Sequence, residues 1–203
     1  IGAYDHVDRA QMLEALVALP KARSLLPFVA MFYGHTSEYY WTHETGAVWS
    51  VEQGDGGEQG DPLMPALFAL GQHPALASAD EKLQEICFVH RTEEEYFKPL
   101  LFAFLDDLYV VTTREMARRA FDVVTGEVER IAGIRTNLGK LQLYSQAGGP
   151  CPPGFDDFLA ERAVDAKPIW TCDAPQIEHR GIVVLGSPLG TVEFCKAHAE
   201  ARM

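Results

Sequence analysis

Basic residues are in short supply: 17 Lys and Arg stand against 29 Asp and Glu, for a formal net charge of −12. That balance suits a soluble acidic protein and counts against a broad phosphate-gripping surface. Cysteine is sparse too, with 4 in 203 residues at irregular spacing. No disulfide scaffold is in view, and free thiols in a reducing, intracellular compartment are expected. Long apolar runs are missing. The longest are cut by Gly71, Pro74 and the pair Asp106 and Asp107, and none approaches the ~18 residues a membrane helix requires, so no membrane association is expected. Low-complexity tracts are absent and no internal repeat stands out. The chain opens on Ile1, with neither Met nor a basic-then-apolar leader, so its start is expected upstream and targeting is not legible.

What is present is globular. Apolar residues make up 47% and charged residues 23%, near the averages that exclude disorder, collagen and coiled coil for the chain as a whole. A chain of this length buries roughly 70% of the surface its unfolded form exposes, enough for one domain, or one and a fraction.

Val7, Ala10, Leu13, Leu16 and Val17 repeat at helical period until Pro20, which predicts an amphipathic helix over 7–19. A second helix is expected over 22–32, bent at Pro27 and ended by Gly34. The segments 39–41 and 48–51, joined through Thr45-Gly46, read as a hairpin. Residues 53–61 form a glycine-rich loop whose backbone can approach another group closely. Pro62, capped by Asp61, then opens a helix to Leu70 that is apolar nearly all round and expected to be buried. A separate helix is expected over 80–89.

Two strands, 100–105 and 108–112, are separated only by Asp106-Asp107, as a tight hairpin requires. Thr112 and Glu115 have capping-box spacing ahead of a helical stripe at Ala117, Ala120, Phe121, Val124, Val128 and Ile131, closed by Gly133. Strands are expected over 141–145 and 181–185, a Pro- and Gly-rich excursion over 148–175, and a last helix over 193–202. Irregular alternation with prominent hairpins points to α+β architecture with an antiparallel sheet, divided as 1–147 and 148–203.

The strongest chemical signal is Phe104-Leu105-Asp106-Asp107-Leu108-Tyr109. Adjacent carboxylates between apolar strands repel and lose hydration unless a cation offsets the cost. Mg2+ is the simplest candidate, because it prefers hard oxygen ligands and shares its shell with substrate phosphates. The bland alternative is an exposed Asp-Asp turn. The loop Gly57-Glu58-Gln59-Gly60-Asp61 can lie flat against a nucleotide, although it lacks the Gly-Lys-Ser/Thr ending of a P-loop. Taken alone it is a surface loop.

Four segments in order carry a resemblance: Gln59-Gly60-Asp61-Pro62-Leu63-Met64-Pro65, Phe104-Leu105-Asp106-Asp107, Gly133-Ile134-Arg135-Thr136-Asn137-Leu138-Gly139-Lys140, and Val184-Leu185-Gly186-Ser187-Pro188-Leu189-Gly190. Together they resemble the palm motifs of reverse transcriptases, most nearly the non-LTR retrotransposon branch, and the likeness spans nearly the whole chain. Ala3-Tyr4-Asp5 resembles the tail of the first palm motif. In that motif an Asp lies four residues before the alanine, which puts it two positions ahead of Ile1.

The resemblance implies an RNA-directed DNA polymerase, a nucleotidyltransferase with a palm-like antiparallel sheet backed by helices. It implies two Mg2+ ions, an RNA template with a DNA primer, deoxynucleotide triphosphates, and an intracellular, even nuclear, location. Asp106, with Asp107 as weaker partner, would hold metal. Tyr4 would sit beneath the incoming sugar and exclude a 2′-hydroxyl. Gln59 and Gly60 would line the nucleotide and template pocket, and Lys140 would approach the triphosphate. By itself Lys140 is an ordinary solvated lysine.

Other signals weigh less. Cys87-x-x-His90 and Cys195-x-x-His198 have zinc-ligand types but lie on expected helices with nothing to bring them together, so buried thiols and ordinary histidines are the plainer reading. Tyr39, Tyr40, Trp41 and Trp49 suit base stacking, but hairpin aromatics more often fill a core. Two rival functions stand beside the polymerase: a catalytically dead palm remnant acting as a binding or structural module, and a Mg2+ phosphohydrolase or nucleotide cyclase built on a similar hairpin.

Overall fold

A computed structural model describes residues 3–58, 60–89, 97–156, 158 and 168–202, with backbone only at 87–89. The chain divides into two compact units, Ile1–Thr136 and Asn137–Met203, ahead of the composition shift at 148.

In the first unit the Asp8 carboxylate accepts from the Ala10 and Gln11 amides and caps α1, Arg9–Ala18. Its buried face is Arg9, Met12 and Leu16, whereas Ala10 and Val17 of the expected stripe are exposed. A 3-10 turn at Arg23–Leu25 leads into α2, Leu26–Tyr33. Pro27 sits in the first turn of α2, where no hydrogen bond needs its missing N–H. Strands β1, Ser37–Thr42, and β2, Val48–Gln53, form the expected hairpin, with Trp41 opposite Trp49 and Gly46 turning at φ 83°.

The two helices expected over 62–70 and 80–89 are one, α3, Met64–Val89, with Pro74 inside it. Buried Met64, Phe68, Ala75, Ala79 and Leu83 continue one stripe past the proline, and Pro74 itself is exposed. Packing along the stripe therefore outweighs the local break. Gly71 stays helical because α1 lies against it: a Cβ there would come within 2.8 Å of Met12 Cγ and 3.1 Å of Val7 Cγ2. Nor is the first turn of α3 apolar all round in its surroundings, since Ala66 and Ala69 face solvent. Among the described residues no helix is long and apolar enough to cross a membrane.

Strands β3, Leu100–Phe104, and β4, Asp107–Val111, pair antiparallel, and Leu101, Leu108 and Val110 pack on the core. Helix α4, Ala117–Ala132, buries Ala120, Val124, Glu127, Val128 and Ala132. Gly133 ends it in the left-handed region at φ 71° and donates to the Glu129 carbonyl, as an αL cap does. The expected capping box at Thr112 and Glu115 does not form. The helix begins at Met116 without a side-chain cap, and Thr112 Oγ1 is buried with no partner.

In the second unit the segment 141–145 makes no strand, only a parallel bridge from Leu143 to Trp170, with Leu143 N donating to Ile169 O at 2.7 Å. Thr171 Oγ1 donates to Leu143 O, and Trp170 Nε1 to Gly149 O. Strands β5, Gly181–Val184, and β6, Ser187–Gly190, form a third hairpin, followed by α5, Val192–Glu200. Gly181 and Gly190 pair directly because the Phe194 ring fills the space a Cβ would take at either. The α+β reading with antiparallel pairing stands. Among the described residues, however, the strands are distributed over three two-stranded ladders, and a single palm-like sheet is not seen.

One polar contact ties α3 to α4. The buried Glu127 carboxylate accepts from Ser78 Oγ at 2.6 Å and Arg130 Nη2 at 2.6 Å, and from Lys82 Nζ. Its hydrogen bonds from Arg130, Lys82 and Ser78 hold its pKa far below the ordinary carboxylate range. A depressed acid stabilises the fold fully above the unfolded-state value, about 4.3 for Glu, and that contribution is lost as pH falls toward the native value, because the unfolded chain takes up the proton first. Glu127→Gln should therefore lower the urea midpoint at pH 7 and flatten the loss of stability between neutral pH and pH ~3. Equal midpoints and equal acid limbs would show that Glu127 is energetically idle.

Candidate functional site

Three segments far apart in sequence converge in the first unit. Tyr4 lies in a 3-10 turn, Ala3–Asp5, and its ring stands edge-on to Phe68 of α3, with centroids 4.7 Å apart. Burial and the nearby negative charge of Asp106 raise the Tyr4 pKa. The Asp106 carboxylate thus lies within electrostatic reach of a phenol some hundred positions earlier in the chain.

Beneath Tyr4 runs the glycine loop. Gly57 N donates to Tyr4 O at 2.9 Å, and Gly56 N donates to Val7 O at 2.8 Å. Gly56 is left-handed at φ 65°, and a Cβ on it would overlap the Tyr4 carbonyl oxygen and the Asp5 backbone. A Cβ on Gly57 would run into the Met64 sulfur. The close approach expected of these glycines is thus made to the protein's own backbone and core.

Arg9 fixes the loop, and sequence reasoning missed it. Its Nε donates to Gly56 O at 2.8 Å and its Nη1 to His35 O at 2.7 Å. Its guanidinium lies over the Tyr33 ring, 5.4 Å from the centroid, while Nη2 is buried and unpartnered. Tyr33 in turn donates its hydroxyl to Asp61, and burial together with that bond pushes the phenol pKa well up. Asp61 also accepts from Leu63 N at 2.8 Å, so it caps the entry to α3 as its sequence position suggested. The available signal was the spacing of Arg9, Met12 and Leu16, one helix face with a cation on it.

The other sequence candidates fall as follows. The two-residue turn of β3–β4 is Leu105-Asp106 and not Asp106-Asp107: Asp107 is the first residue of β4, opposite Phe104. Both carboxylates are exposed. Gln59 lies outside the described residues. Gly60 is exposed at φ 105°, with open space around it. Lys140 belongs to the second unit, exposed at the end of a 3-10 turn that Asn137 caps through Gly139 N at 3.0 Å.

Of the zinc-type residues, Cys195 lies 3.7 Å from Pro188 O and His198 Nε2 lies 3.3 Å from Gly186 O, both packed on the β6 hairpin. The Cys87 side chain and His90 lie outside the described residues. Among the described residues no group of three or more His, Cys, Asp or Glu is gathered for a metal. The tip offers two hard carboxylates at successive positions, a donor set that fits Mg2+ held by one or two acids and completed by substrate phosphates.

Comparison with protein-family models, with curated proteins and with solved structures finds no match to this chain.

The loop geometry makes a direct prediction. Gly56→Ala must shift the Tyr4 turn or abandon its left-handed backbone, at a cost of about 1–3 kcal/mol in denaturant unfolding. Gly54→Ala, with nothing within 4 Å of its Cβ, should stay within about 0.5 kcal/mol of the parent. Indistinguishable stabilities for the two variants would contradict the packing described.

Proposed function

We propose that this chain is the palm region of an RNA-directed DNA polymerase, a reverse transcriptase of the non-LTR retrotransposon type. The reading is supported by the four segments in palm-motif order along the chain, with the negative charge of Asp106 acting on Tyr4. The acidic net charge accords with a locally acidic metal-binding region whose basic, duplex-gripping elements lie elsewhere.

In this reading Asp106, assisted by Asp107, would hold Mg2+, which when bound would lower the charge on the triphosphate and favour ionisation of the primer 3′-hydroxyl. Tyr4 supports the sugar of the incoming nucleotide and rejects a 2′-hydroxyl by contact, its ring braced by Phe68. Gln59 and Gly60 border the base pair, where glycine leaves room for a flat group. The resemblance assigns to Lys140, in the second unit, the neutralising of phosphate charge or the delivery of a proton to pyrophosphate. Template RNA, DNA primer and deoxynucleotide triphosphates are the partners.

Two substitutions test this. Asp106→Asn should abolish Mg2+-dependent primer extension while the circular dichroism spectrum and unfolding midpoint stay unchanged, since the side chain is exposed. Undiminished synthesis would overturn the assignment. Tyr4→Ala should admit ribonucleotides about tenfold more readily relative to deoxynucleotides. A parent protein that binds Mg2+ and template without extending a primer would instead be the catalytically dead remnant.

A further inference from the structure

The β1–β2 hairpin has almost no cover. Every residue over 38–52 is exposed, and only Ser37 and Gln53 at its base are half-buried. Tyr40 is 68% exposed, Trp41 58%, Val48 64% and Trp49 61%. A two-stranded hairpin without a packed face is marginal in water, and large apolar side chains grouped on a surface mark a contact site. The register puts Tyr39, Trp41, Trp49 and Val51 on one face, and Glu38, Tyr40, Val48 and Glu52 on the other.

The charges say what covers it. Over 37–58 there are five acids, Glu38, Glu44, Glu52, Asp55 and Glu58, and no Lys or Arg. Glu38 and Glu52 are direct cross-strand partners, an arrangement in which like charges destabilise the pairing. Tyr40 stands on the same face, two residues along the strand from Glu38, so an aromatic ring flanks the paired carboxylates. A cation seated there relieves the repulsion and meets the ring as well.

We propose that the β1–β2 hairpin is a docking surface for a basic segment of a partner protein. Its Lys or Arg side chains lie between Glu38 and Glu52, and their aliphatic stems and apolar neighbours cover Tyr40 and Val48. Nucleic acid does not suit this face, because its phosphates would meet five acids and no cation. A second copy is disfavoured by the same like charge. The proposal is independent of the polymerase reading.

The test titrates the purified chain with synthetic peptides in which Leu alternates with Arg, Gln or Glu, and with a single-stranded DNA oligonucleotide. Fluorescence anisotropy of dye-labelled peptide or oligonucleotide reports binding. The Leu-Arg peptide should bind at least ~10-fold tighter than the Leu-Gln peptide, with affinity falling as salt rises. Glu38→Gln combined with Glu52→Gln, both exposed, should erase that preference with an unchanged circular dichroism spectrum. Equal affinity for the Arg and Gln peptides overturns the proposal, as does a preference that survives the double substitution. Tighter binding of the oligonucleotide overturns it in favour of nucleic acid, and a dimer abolished by Trp49→Ala overturns it in favour of a second copy.

Discussion

The first unit depends on one buried guanidinium. Arg9 is almost wholly enclosed, with hydrogen bonds to the Gly56 and His35 carbonyls and the Tyr33 ring against its plane. A buried charge is costly unless its donors are satisfied, and here two carbonyls and an aromatic face offset most of that cost while Nη2 goes unpaired. The carbonyls belong to two different connections, one leaving α2 and one leaving β2. The residue that begins α1 therefore ties both loops to one helix end.

From that anchor the geometry propagates by exclusion of volume as much as by attraction. Gly56 and Gly57 have no room for a Cβ, so the loop lies directly on the Tyr4 turn and on Met64. Tyr33 extends the line to Asp61 and so to the start of α3. Helix α3 is the spine on which α1 and α4 pack, and it carries Phe68 under Tyr4. The relation between Tyr4 and Asp106 is thus the product of a core built mostly from other residues.

Local signals were legible in the sequence wherever the deciding forces were themselves local. Asp61 caps the entry to α3, Gly133 and Gly46 occupy left-handed positions, and the hairpins at 37–53 and 100–111 form where alternation and turn residues placed them, whereas the Asp8 cap and the hairpin at 181–190 were not anticipated. The failures share one cause, tertiary contact outweighing local preference. Pro74 argues for a break, yet a buried stripe on both sides of it holds α3 together. Thr112 and Glu115 have the spacing of a capping box, but Thr112 is buried where no N–H reaches it. The run 141–145 is apolar enough for a strand and finds only the Trp170 backbone to bridge. Of the site, Tyr4 and the acids at the tip could be named in advance. Arg9 could not, because its role rests on carbonyls contributed by residues 35 and 56, which periodicity does not bring together.

The two tight turns at 105–106 and 185–186 show how the acidic tip differs from a generic one. Both have a leucine at the first corner in the left-handed region, Leu105 at φ 54° and Leu185 at φ 48°. At the second corner Gly186 follows the usual chemistry of such turns, at φ 82°. Asp106 stands there in the other turn and does not adopt a positive φ. The strain therefore sits on Leu105, a residue type that rarely tolerates it, and Asp106 keeps ordinary backbone geometry. Such strain persists only where the surroundings over-determine the conformation. The two leucines differ in their surroundings: Leu105 is half-buried between exposed Phe104 and Asp106, whereas Leu185 is exposed. A glycine at the second corner leaves that corner free to adopt either sign of φ, whereas an aspartate there keeps φ negative and leaves the left-handed geometry to the leucine before it.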